Sequence, residues 1–242
     1  MNMNNSQFLD VLKRSFIKYL ETSERSNEKL KILHGEISND IIDILTATNN
    51  IGGIFTVSSL GYGLGKEKKI SGRYMDKAID ITISRNSKPT AGIAVKYVMS
   101  NYMQNSNNYF ENMLGETANI RCADIPYFQI FIIADKIPYF KKSGVITKWE
   151  RINEHNLKKY IKLSEDSTDA YMHTPNKTLV CVVNISGDEI PLYSDKSGYK
   201  EFYLNNNFSL TYANQTFKFS DGVIYNNYEE FIKKIVHAIL SF

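Results

Sequence analysis

Over the first fifty positions, apolar residues return at roughly helical spacing. Phe8, Val11, Leu12, Phe16, Tyr19 and Leu20 mark one run, with charges between them. A second run, Leu30, Leu33, Ile37, Ile41 and Leu45, stops before Asn49-Asn50 and Gly52-Gly53. The pattern then shortens. Ile54–Val57 is a brief apolar segment ahead of a Gly- and Lys-rich loop, Ser58–Tyr74. Ile79–Ile83 and Gly92–Val98 read as adjacent strands joined by a turn at Arg85-Asn86-Ser87-Lys88. A helix is expected from about Asn108 to Arg121, and then a buried strand at Tyr127–Ile133, bounded by Pro126 and Asp135. Ile152–Leu163 reads as a helix and Thr178–Ile185 as another core strand. Ser186–Gly222 is polar and rich in Tyr and Asn, and Tyr228–Leu240 closes as an amphipathic helix.

No internal repeat or low-complexity linker divides this pattern. It predicts a single α/β domain over residues 1–242, with a mixed central sheet flanked by helices. Residues 1–50 would form a helical N-terminal part, about 54–185 the core, and 186–242 an elaborated C-terminal part. A 242-residue chain with 43% hydrophobic residues can bury a substantial core. Its formal charge of +3 means that any surface for nucleic acid must be a local patch. Cys122 and Cys181 are far apart, without metal-like spacing, and fit reduced thiols. With a polar N-terminus and no apolar run of membrane-spanning length, the sequence predicts a cytoplasmic, non-membrane protein.

The stretch from Asp80 to Glu111 carries the chemistry. A turn centred near Ser87 pairs Asp80 across from Ala94 and places Lys96 diagonally on the same face. Cleaving a phosphodiester needs an activated water, a divalent cation and stabilisation of charge on the phosphate. Mg²⁺ prefers oxygen ligands and usually takes one or two carboxylates. Asp80 and Glu111 would bind the metal, and Lys96 would position water and offset negative charge. Plainer readings exist for each residue. Asp80 could face solvent, Lys96 could be an edge charge, and Asn108-x-x-Glu111 could be a capping box.

This segment resembles the PD-(D/E)xK superfamily, most closely its type II restriction endonucleases. Their motif sets an Asp at the start of one strand and acid-x-Lys on the next; Asp80 and Lys96 match. The Asn-rich entry to Asn107–Thr117, with Glu111 and Gly115 spaced as acid-x-x-x-Gly, resembles the helix that follows in some of these enzymes. The resemblance covers roughly 76–133. Ala94 stands where the second acid belongs. Either that acid has moved to the helix as Glu111, or alanine replaces an acid and leaves a protein that binds DNA and barely cuts it.

The resemblance implies a restriction-endonuclease-like fold and a Mg²⁺-dependent, sequence-specific double-stranded DNA endonuclease leaving 5′-phosphate ends. It also implies a homodimer, and Glu36 as an accessory acid approaching from an early helix. A catalytically silent DNA-binding protein and a structure-selective repair or junction nuclease are the alternatives.

Weaker signals surround this core. Gly61-Tyr62-Gly63-Leu64-Gly65-Lys66 fails as a phosphate loop, because Glu67 follows where Ser or Thr is needed. Lys66, Lys68, Lys69 and Arg73 in that loop could contact DNA phosphates or simply be solvated. Asn101, Tyr102, Gln104, Asn105, Asn107 and Asn108 could touch DNA or form a turn and cap. The four histidines are scattered, and none is assigned to chemistry.

Overall fold

The computed structural model describes residues 2–22, 26–48, 53–187 and 193–241. Helices α1 (Asn5–Glu21) and α2 (Glu28–Thr48) open the chain. Strand β1 (Phe55–Ser59) follows, then a small hairpin of β2 (Lys68–Ser71) and β3 (Asp76–Ile79), and a longer one of β4 (Ile81–Arg85) and β5 (Lys88–Val98). Helix α3 (Tyr102–Arg121) leads to β6 (Tyr127–Ala134), and a second small hairpin pairs β7 (Lys136–Phe140) with β8 (Ile146–Arg151). Then come α4 (Glu154–Ser164), β9 (Lys177–Ile185), α5 (Lys196–Asn205), β10 (Leu210–Tyr212), β11 (Val223–Tyr225) and α6 (Tyr228–Ser241).

The fold is α/β, built on a mixed sheet in the order β1-β4-β5-β6-β9-β10, with β11 also paired to β9. β1, β4 and β5 are antiparallel, whereas β5, β6 and β9 run parallel. Every residue of β6 is buried, as expected of a parallel strand covered on both faces. Phe131 of β6 stacks on Tyr160 of α4 at 4.7 Å and meets Tyr102 of α3 at 5.9 Å, so both helices pack on that face. A second helical group is tied by Phe8 of α1, stacked on Tyr228 of α6 at 4.0 Å. The Tyr228 hydroxyl donates to Asp40 of α2 at 2.9 Å. Among the described residues, no helix is long and apolar enough to cross a membrane.

The expected helices and core strands are present, with a few departures. Ile79–Ile83 is not one strand, because a bend at Asp80 separates β3 from β4. α3 begins at Tyr102, not Asn108, so Glu111 lies well inside the helix and caps nothing. The reason is tertiary. Asn101 adopts a left-handed conformation, and its side chain pairs with the backbone of Phe140 in both directions, at 2.8 and 3.0 Å. That contact turns the chain directly into the helix. The Gly- and Lys-rich loop contains β2, with β3 just beyond it, and the polar stretch to Gly222 contains α5 and β10, with β11 just beyond it. The stop expected at Asn49, Asn50 and Gly52 lies outside the described residues.

Candidate active site

The β4–β5 hairpin delivers the first pair of groups. Asn86 and Ser87 both take positive φ, giving the two-residue turn whose twist suits a hairpin. The register then shifts between Ile83 and Ser84, with Thr90 as the extra residue. This bulge matters, because it continues the pairing so that Asp80 comes opposite Ala94. The main chain confirms the placement: the Val95 N–H donates to Asp80 Oδ2 at 2.7 Å. Burial is the chief cause that pushes the Asp80 carboxyl up to about 6. The Glu116 charge adds to it, while the Val95 N–H, Lys96 and Lys77 oppose it.

Asp80, Ala94, Lys96, Glu116 and Gln129 line one cavity of about 170 Å³, closed by Tyr109, Met113 and Phe131. Ala94 pairs with Gln129 and Lys96 with Phe131 across β5 and β6, so period-two alternation sends these side chains to one face. The Lys96 ammonium lies 4.1 Å from the centre of the Tyr109 ring. The Lys96 side chain is exposed as a whole. Desolvation near its charge nevertheless lowers its pKa, with Asp80 opposing.

The helical acid in the cavity is Glu116, not Glu111. Tyr109, Met113 and Glu116 follow one helical stripe of α3, whereas Glu111 is exposed off that stripe. Glu116 is held by Lys77 of β3 at 2.6 Å and by the Tyr127 hydroxyl, which donates to it. Gln129 is 4% exposed, and its Oε1 has no hydrogen-bond partner among the described residues. A buried polar atom left unpaired within a cavity is a costly feature that a bound ligand or water would relieve. Its sequence signal was a lone amide inside the apolar run of β6.

Asp80 faces a second group as well. One ligand atom each from His34, Glu67 and Asp80 lies within 4.8 Å of the others, a group that could hold a metal ion. His34 is 0% exposed, and neither of its ring nitrogens has a hydrogen-bond partner among the described residues. Burial lowers its pKa to about 4, so it is a neutral imidazole at pH 7. Burial, and then the Asp80 charge, raises the Glu67 carboxyl above the ordinary range. An orphaned neutral imidazole beside two carboxylates fits a divalent cation.

Close backbone packing sets this group. A Cβ on Gly61 would lie 1.8 Å from the Lys31 carbonyl oxygen, and one on Gly35 would lie 2.8 Å from the Gly61 oxygen. The glycine-rich loop thus lets β1 and its following turn touch α2, which carries His34 to Glu67. Glu36, the expected accessory acid, points elsewhere. It pairs with Arg14 of α1 at 2.7 Å and does not line the cavity with Asp80. The signal missed was helical phase. His34 shares the buried stripe of Ile37 and Ile41, a face on which a histidine needs a partner.

The β2–β3 hairpin that supplies Lys77 is pinned to α3. Asn119 is 6% exposed; its Oδ1 accepts the Tyr74 and Met75 N–H groups at 2.9 and 3.2 Å, and its amide donates to the Met75 carbonyl at 2.9 Å. Asn119→Ala should therefore destabilise the protein by about 2 kcal/mol and expose the turn at 72–75 to limited proteolysis. Urea unfolding and a digestion time course would check both, and an unchanged digestion pattern would refute the pin.

Of the residues expected on DNA, Asn101, Gln104 and Asn105 line a cleft beside the cavity, and Lys96 and Tyr109 line both. Asn101 is committed to Phe140, and Gln104 accepts from the Tyr139 hydroxyl at 3.0 Å. The Asn105 side chain donates to the Asn101 carbonyl at 3.2 Å. Tyr102 is core, its hydroxyl donating to the Asn156 carbonyl. Asn107 accepts from Lys159 on a different surface, and Asn108 is exposed. In the basic loop, Lys68 is tied to Ser84 and the Ser87 carbonyl, while Lys66, Lys69 and Arg73 are exposed. The lysines that line the cleft are Lys29, Lys96, Lys141, Lys142 and Lys196.

Comparison with protein-family models, curated proteins and solved structures gives no match.

Proposed function

We propose that this chain is a divalent-metal-dependent nuclease of the PD-(D/E)xK type, with a restriction-endonuclease-like arrangement around Asp80. The observation that carries the reading is the convergence of Asp80 and Lys96 on one cavity that adjoins a lysine-lined cleft. A carboxylate and an ammonium at one end of a basic groove suit a polyanionic phosphodiester better than a small neutral substrate. Asp80 and Glu67 would hold the divalent cation, and Glu116 would stand in for the acid missing at Ala94. When bound, a divalent cation polarises a phosphoryl oxygen and acidifies water.

The chain's own groups do the rest. Lys96, its ammonium partly desolvated, holds a water or phosphate oxygen against the Asp80 side of the cavity. Gln129 Oε1 can accept from that water, and Phe131 and Met113 limit bulk solvent. Lys141 and Lys142 supply phosphate contacts along the cleft. The substrate we favour is double-stranded DNA cut at a specific site in the cytoplasm by a homodimer, leaving 5′-phosphate ends. Ala94 favours one rival, a DNA-binding protein whose chemistry is silent.

Unmethylated phage DNA incubated with Mg²⁺, and separately with Mn²⁺, tests the reading. The protein as it stands should give discrete bands, and Lys96→Ala should slow cutting by about 10²-fold or more. Bands only from Ala94→Glu would favour the silent reading. DNA binding without cleavage by either protein would reject the nuclease. Cleavage only at branched or mispaired DNA would point to a structure-selective enzyme.

A further inference from the structure

We infer that His34, Glu67 and Asp80 form a metal centre whose imidazole ligand makes it select a first-row transition-metal dication, Mn²⁺ or its neighbours, over Mg²⁺. The inference deepens the nuclease reading and rests on its metal site, not on its substrate.

Three observations carry it. The donor atoms of the three residues lie within 4.8 Å of one another, although they come from α2, the loop before β2 and the bend before β4. Segments so far apart in sequence meet there through the Gly35–Gly61 backbone contact, which leaves no room for a side chain. The imidazole itself supplies the third. It is wholly buried, and both ring nitrogens lack a hydrogen-bond partner among the described residues. A buried ring with two orphaned nitrogens is unfavourable as a packing element, and an apolar residue would fill the same space at less cost. A bound cation gives one nitrogen a partner.

Donor chemistry then chooses among cations. Mg²⁺ takes hard oxygen ligands and sheds its water reluctantly. A nitrogen donor adds little for Mg²⁺ and much for first-row transition ions, whose affinity for mixed nitrogen and oxygen sites rises from Mn²⁺ onward. Two carboxylates with one imidazole therefore retain Mn²⁺ and disfavour Mg²⁺. Asp80 belongs both to this centre and to the cavity of Lys96, so the cation would sit where the proposed chemistry needs it.

The test uses the full chain without DNA, so a failed metal site and a failed nuclease are read separately. Calorimetric titration with MnCl₂ and with MgCl₂ should show Mn²⁺ binding at least ~10-fold tighter. Pulsed electron paramagnetic resonance of the Mn²⁺ protein should show ¹⁴N coupling from one imidazole. His34→Ala should remove that coupling and level the two affinities. Equal affinities together with no ¹⁴N coupling in the unsubstituted protein would overturn the assignment. So would a Mn²⁺ preference that survives His34→Ala. The spectrum of the unsubstituted protein decides the matter even if the variant does not fold.

Discussion

On the proposed nuclease function, Asp80→Asn should cut DNA about a thousandfold more slowly or worse, yet melt later than the parent at pH 7.5 without metal. The gain follows from burial. The folded protein holds the Asp80 carboxyl up to about 6, chiefly by desolvation, whereas an unfolded aspartate titrates near ~3.9. The folded state thus binds this proton more tightly than the unfolded state does. The Asp80 contribution to metal-free stability falls as pH rises from about 4 to about 6 and then levels off, opposite in sign to that of buried His34, so the difference between parent and variant isolates it. A shift of that size corresponds to roughly 3 kcal/mol, and water reaching the cavity should reduce it to about 1–2 kcal/mol. Asparagine keeps the shape and can still accept the Val95 N–H, but it carries no charge to desolvate. Melting temperatures of both proteins in EDTA, measured from pH 4 to 8, would check this. The curves should meet near pH 4 and separate towards pH 6. Parallel curves would refute the burial argument, and undiminished cutting would remove Asp80 from the site.

That trade between stability and function explains which parts of the site were legible beforehand. The hairpin was readable because its two strands alternate and its turn residues suit positive φ. Asp80, Ala94 and Lys96 fall together once those are recognised. The bulge at Thr90, which completes the alignment, leaves no comparable mark in the sequence. Glu111 does not line the cavity, and the acid of α3 that does, Glu116, lies five residues further on. The Asn-rich segment offered an attractive cap at Asn108, and only the contact of Asn101 with Phe140, from a distant hairpin, starts α3 earlier. The meeting of Glu67 with His34 was out of reach for a similar reason. Nothing local in the loop or in α2 shows that two glycines let their backbones touch. Gln129 and His34 did leave a trace, since each is polar where its element's period demands an apolar side chain. Such breaks in a buried stripe deserve a functional reading when no local partner is evident.

Gly61→Ala should be the most damaging glycine-to-alanine change among the described residues. Its Cβ would fall 1.8 Å from the Lys31 carbonyl oxygen and 2.9 Å from the Gly35 Cα, both of them main-chain atoms. A flexible side chain could swing aside, but here α2 and the loop after β1 must separate as units. Overpacking usually costs about 1–3 kcal/mol, and a clash of backbone on backbone belongs at or above the top of that range. For a chain of this length, about 3 kcal/mol lowers the melting temperature by roughly 6–12 °C. The same separation carries His34 away from Glu67, so Mn²⁺ affinity should fall in the fraction that remains folded. Gly35→Ala should act alike, since its Cβ would meet the Gly61 oxygen at 2.8 Å. Gly115→Ala is the control: a Cβ there meets nothing within 4 Å, and its place in α3 predicts a gain of up to about 1 kcal/mol from helix propensity. If Gly61→Ala melts like the parent, α2 does not touch the loop in solution. If it melts early but binds Mn²⁺ unchanged, the glycine contact supports the fold without positioning the metal ligands.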